Sequence, residues 1–206
     1  SGATAIAVVK MMAWTIVGAG AQIAATAMLL AAMKQKSFVV TTALIKIEPV
    51  HVALFGLVFL GDALSWPLAT AIVIATLGVL IMSWPQQQAG SLTEGGWGPI
   101  ALGLASGAVF GISAIGYRGG ILALGHPNFV VAATTTLAVG LIMQTAALTL
   151  YLWLFDRTRL TDIFRAWRPS VLAGFMGAFA SQMGFLAFAL ESAAKVRTLA
   201  LVEIFF

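Results

Sequence analysis

The sequence predicts an all-α polytopic membrane protein, and three observations carry that reading. Of its 206 residues, 61% are hydrophobic and only 9% are charged, a balance foreign to water-soluble domains. Apolar runs of about 20 residues recur along the chain, and at 1.5 Å per residue each crosses the roughly 30 Å hydrocarbon core of a bilayer. The runs are continuous rather than alternating. Helices are therefore expected rather than barrel strands, because a helix satisfies its backbone polar groups within its own segment.

Six runs read as complete spans: Met11 to Met33, Phe38 to Leu60, Trp66 to Trp84, Trp97 to Tyr117, Asn128 to Phe155 and Ser170 to Leu190. The first stops at "KQKS" and the second at "GDALS"; linkers this short join antiparallel neighbours. The third is bounded by "PQQQAGSLTEGG". The fourth carries Gly103, Gly107 and Gly111 on one face, and the sixth carries Gly174, Ala178 and Gln182; small faces let helices approach closely. Between the fifth and sixth lies "DRTRLTDIFRAWRP", with Leu160, Ile163, Phe164 and Trp167 at helical spacing among arginines. It reads either as a short amphipathic helix in the membrane interface or as a solvated loop. A seventh run begins near Ala193 and is cut off at Phe206, and the chain opens on Ser1, so the sequence reads as a fragment at both ends.

Composition excludes several functions. The net charge of +4 comes from residues clustered in loops, with no basic stripe to suggest nucleic acid. No cysteine is present, and the two histidines, His51 and His126, stand apart; a metal centre is not expected. No phosphate loop, no paired nucleophile and base and no cofactor motif occurs, so neither an enzyme nor a cofactor is expected. The loops place six basic residues on one side of the membrane and four on the other, which leaves orientation open.

The second run is the unusual one. "ALIKIEPVHVALFGLVFLGDALS" sets Lys46, Glu48, Pro49 and His51 in an apolar segment. A charge at a helix centre costs about 2.5–3.5 kcal/mol on insertion scales, so none of these should face lipid. In a continuous helix Glu48 and His51 share a face, whereas Lys46 points elsewhere, toward Thr42, another helix or the interface. Pro49 lacks an N–H and clashes with the preceding turn, so a kink is expected beside Glu48. Two readings of Glu48 stay open: it lines a central cavity with His51, or it is a protonated packing residue. Gln22 and Gln182 are polar midspan residues, either pocket-lining or interhelical glue. Trp14 and Tyr117, near span ends, read as interfacial aromatics.

A shift of 155 residues sets Ala32 on Ala187, Ser37 on Ser192, Leu44 on Leu199 and Glu48 on Glu203. An acidic residue is rare inside a span, which gives the Glu48 and Glu203 match its weight. The matched segments are five spans apart and so cross in opposite directions. Four identities over an apolar overlap also arise by chance; a real match would define an inverted-topology repeat, a construction of secondary transporters.

Glu48-Pro49, the later Gly61-Asp62 and the run "ATLGVLIM" with Gly78 resemble the drug/metabolite transporter superfamily, in particular its EamA-type members. Tyr117-Arg118 resembles the basic exit of that family's sixth helix, whereas Ile204 departs from the expected proline. The resemblance implies ten helices when intact, with about seven spans covered here. Residues 1–84 would be spans three to five of one repeat, and residues 97–206 spans six to nine of the other. It implies a secondary active exporter of small metabolites, amino acids or drug-like compounds, in a bacterial inner membrane. Its partners would be a small-molecule substrate and the lipid bilayer. The pathway candidates are then Glu48, Glu203, His51, Lys46, Gln22 and Gln182, with Pro49 as the kink. The alternative from another class is a non-transporting membrane scaffold, in which these groups serve packing alone.

Overall fold

The computed structural model describes residues 2–34, 41, 44–82 and 97–202. Among them every regular element is helical: α1 (Gly2–Met33), α2 (Glu48–Phe55) continued by a π-helical turn (Gly56–Leu60), α3 (Trp66–Met82), α4 (Trp97–Leu124), α5 (Phe129–Phe155), α6 (Arg157–Arg165), α7 (Trp167–Leu190) and α8 (Ala193–Ala200). Among the described residues four stretches are long and apolar enough to cross a bilayer, Thr4–Met33, Ile100–Leu124, Phe129–Phe155 and Trp167–Leu190. Two apolar stretches, Glu48–Leu60 and Trp66–Gly78, are shorter. The protein is an all-α membrane protein.

Helix ends follow local chemistry. Asn128 Oδ1 accepts from the Val130 and Val131 N–H groups at 2.9 and 3.4 Å, capping α5. Asp156 caps α6 through the Arg159 N–H at 3.1 Å, and Ser192 caps α8 through the Lys195 N–H at 3.4 Å. Each cap satisfies a donor the helix leaves without a partner. α1 starts at Gly2 rather than near Met11, because the single exposed Lys10 does not interrupt it. Lysine is a good helix former, and its stem carries the charge outward. α4 runs past Tyr117 to Leu124 and stops at Gly125, whose φ of +59° suits glycine.

The second expected span is not one helix. Leu44 and Ile45 are helical, Lys46 and Ile47 form a turn, and the chain re-enters a helix at Glu48. Pro49 falls in the first turn of α2, where a missing N–H forfeits no helical bond. The π turn at the far end closes on Gly61, φ +68°, and the Asp62 N–H donates to Gly56 O at 3.0 Å.

The chain divides into two compact units. The first comprises Ser1–Ala19 and Tyr117–Leu190. Its centre is Tyr117, 4% exposed, whose hydroxyl accepts from Gln144 Nε2 at 2.9 Å and whose ring lies 4.7 Å from that of Phe185. Glycines make room for these rings: a Cβ on Gly140 would come 2.9 Å from Tyr117 Cε1, and one on Gly119 would come 2.6 Å from Trp14 Cδ2. Tyr117 is thus a core residue rather than an interfacial aromatic, since α4 continues beyond it. Arg118 likewise sits inside the helix, where its Nη1 donates to Phe188 O at 2.7 Å. That carbonyl belongs to the last turn of α7, where carbonyls lack helical donors. Gln182 Nε2 joins α7 to α5 through Thr134 Oγ1 at 2.9 Å. Nothing among the described residues lies within 4 Å of a Cβ built on Gly174, so the small face of α7 meets no described partner there.

The second unit comprises Gly20–Gly116 and Glu191–Phe206. Here the glycine face of α4 does receive neighbours. Cβ atoms built on Gly103, Gly107 and Gly111 would lie 3.0 Å from Leu44 Cδ1, 3.3 Å from Ile45 O and 3.2 Å from His51 Cβ. α1 is held to α4 by the buried Ser106 hydroxyl, which donates to Ala25 O at 2.8 Å, and by Ser113 Oγ, 3.4 Å from Gln22 Oε1. α2 packs on α3 and α8.

Candidate functional site

Three charged residues of the second unit, Lys46, Glu48 and Arg197, converge where α2 begins. Because the chain breaks at Lys46–Ile47, Glu48 lies in the first turn of α2. Arg197 lies in the last turn of α8. Glu48 Oε1 and Arg197 Nε are 3.0 Å apart, with the Glu48 side chain 14% and the Arg197 side chain 35% exposed. Both charges suit the helix ends that carry them, an anion at an N-terminus and a cation in a last turn.

The pair borders a cavity of about 50 Å³ lined by Lys46, Glu48, Pro49, Arg197, Ala200 and Leu201. A water occupies about 30 Å³ of liquid volume, whereas small-molecule pockets run to several hundred. The cavity therefore has room for solvent and not for a metabolite. A second, smaller cavity farther along α2 is lined by Ala53, Gly56, Asp62, Ser192 and Ala194 among others. The start of α2 thus meets the end of α8, and the end of α2 meets the start of α8, so the two run antiparallel.

The placement of Lys46 differs from the helical projection. A residue two positions from Glu48 points away from it only if both belong to one helix. Lys46 lies in the turn instead, and it lines the cavity with Glu48 and Arg197. His51 lies one turn on, half-buried between Phe55 and Gly111, its ring centroid 6.2 Å from that of Phe55. Its Nδ1 is buried without a hydrogen-bond partner among the described residues. Gln22 meets Ser113 within the second unit, and Gln182 meets Thr134 within the first. Glu203 lies outside the described residues.

Arg197 is the residue that sequence reasoning misses, because it falls among the four basic residues assigned to loops on one side of the membrane. The signal was available: Ser192 is a good cap, the seventh apolar run starts at Ala193, and Arg197 therefore falls inside a helix. No group of three or more acidic or histidine side chains placed to hold a metal ion occurs among the described residues. No protein-family model, curated protein or solved structure matches the chain.

Proposed function

We propose that this chain belongs to a secondary active transporter of the EamA type, an exporter of small metabolites in a bacterial inner membrane. The observation that carries the reading is the Glu48–Arg197 pair at a helix break, with Lys46 beside it, bordering a cavity in an otherwise apolar chain. Ionised groups in a membrane bundle are costly and mark substrate or ion pathways. Interrupted helices are where transporters present backbone and charge to their cargo.

Alternating access gives the small cavity a role. A chamber of about 50 Å³ is the closed form, and admitting a metabolite requires α2 and α8 to part and the ion pair to open. A group on the substrate then replaces one partner of the pair, so loading offsets the cost of opening it. Proton coupling enters through Glu48, which exchanges Arg197 for a proton when the pair separates.

The test is flux in the intact protein reconstituted into vesicles. Vesicles preloaded with radiolabelled amino acids should release at least one of them when a pH gradient is imposed, and Glu48→Gln and Arg197→Gln should each abolish that release. Undiminished release in both variants sinks the reading. A single cysteine at position 48 separates transport from scaffolding: a carrier gives labelling that changes with substrate, and a scaffold gives none.

A further inference from the structure

α5 carries a groove unrelated to the charge cluster. It has a volume of about 620 Å³ and runs from Leu141 and Ile142 past Thr145, Ala146 and Thr149 to Trp153. These positions recur at i and i+4 along one face, with small side chains in the middle and large ones at the ends. From Leu141 to Trp153 the 1.5 Å rise gives a length of about 18 Å. That is close to one leaflet of a hydrocarbon core roughly 30 Å thick.

The end of the groove at Trp153 is charged. The Arg157 guanidinium carbon lies 5.0 Å from the centroid of the Trp153 ring, and Arg157 Nε donates to Trp153 O at 2.9 Å. A guanidinium has five N–H groups, and that bond uses one. Arg157 opens α6, the helix between the two membrane-crossing helices α5 and α7, so α6 sits at the membrane edge. Its apolar residues Leu160, Ile163 and Phe164 fall on one side, with Arg157 and Arg159 on its two borders at 100° per residue. Ile163 and Phe164 are 50% and 71% exposed. Arg159 is held by Asp156 at 3.5 Å, whereas Arg157 rests on the Trp153 ring that lines the end of the groove. Residues 156–168 hold four arginines against two aspartates.

We infer that this face of α5 and α6 binds an anionic phospholipid, with one acyl chain in the α5 groove and the phosphate on Arg157. Apolar length, an interfacial cation anchored on an aromatic ring and an excess of positive charge coincide at one place. A neutral lipid would satisfy only the groove, and a soluble phosphate only the arginine. Basic residues beside a membrane favour anionic lipids by about fivefold each.

Native mass spectrometry on the intact protein in detergent tests the assignment, with dioleoyl phosphatidylglycerol and dioleoyl phosphatidylcholine as probes at equal concentration. The wild type should retain the phosphatidylglycerol at least fivefold better, and millimolar glycerol 3-phosphate should not displace it. Arg157→Gln should bring the two lipids to equal retention, and Ala146→Phe, which fills the groove, should lower both. Equal retention on the wild type overturns the inference without recourse to any variant. So does an unchanged preference in Arg157→Gln, or displacement by glycerol 3-phosphate, which would assign the arginine to soluble phosphates.

Discussion

Removing the Arg197 guanidinium should destabilise the second unit mainly through Glu48. At 3.0 Å and an effective dielectric constant near 20, the gross attraction is about 5.5 kcal/mol. Desolvation takes back several kcal/mol per ion, and the partly open arginine end admits further screening. What survives as pairwise coupling is about 1–3 kcal/mol. A double-mutant cycle of Glu48→Gln and Arg197→Gln measures it, with unfolding followed by circular dichroism as SDS is titrated into mixed micelles. Each single variant should lose more stability than its share of the double variant, with a coupling in that range. The charge-swapped pair Glu48→Arg with Arg197→Glu should recover only part of the loss. The swap puts a cation at the start of α2 and an anion at the end of α8, each unfavourable by about 0.3–1 kcal/mol. Strict additivity of the single variants would refute the ion pair as a stabilising contact, and full recovery by the swap would refute the helix-end argument.

Three further predictions concern packing and polar contacts. Gly119→Ala should cost about 1–3 kcal/mol by overpacking, because its Cβ would lie 2.6 Å from Trp14; Trp14→Leu should relieve most of that cost in the same unfolding assay. Gln144→Leu and Tyr117→Phe should each cost about 0.6 kcal/mol, the mean for an interhelical hydrogen bond in a membrane, and the double variant should cost little more than either. Gly61→Ala should cost about 1–2 kcal/mol, since φ +68° strains any residue with a Cβ, and Gly61→Asn should cost less; proteolysis of the Gly61–Ser65 connection should report the difference.

Much of the fold was legible because it depends on local chemistry. Apolar length placed α5 to within one residue, and the seventh run began where α8 does. The spacing of Leu160, Ile163, Phe164 and Trp167 allows a helix or a loop; the structure has the helix α6 over the first three and places Trp167 at the start of α7, and the glycine face of α4 is visible as a four-residue repeat. Two expected span ends differ for one shared reason, which is the premise that a charge ends a helix. Lys10 and Arg118 both lie within helices, the first by reaching outward and the second by bonding the Phe188 carbonyl at 2.7 Å. The same assumption hid Arg197.

The sequence by itself determined the solvent of this protein and the character of its elements. Apolar length selects a bilayer, and backbone hydrogen bonding in a bilayer selects helices. It also singled out Glu48 as costly and therefore placed with purpose. Which group meets that carboxylate was decided by tertiary structure alone. Helical projection offers His51 and points Lys46 away; the turn at Lys46–Ile47 resets the angular relation of Lys46 to Glu48, while His51, in the same helix as Glu48, packs against Phe55 and Gly111. The antiparallel approach of α8 then brings Arg197 within 3.0 Å from 149 positions away in the chain. Periodicity describes neighbours within a helix, and an ion pair between two helices depends on where their ends meet.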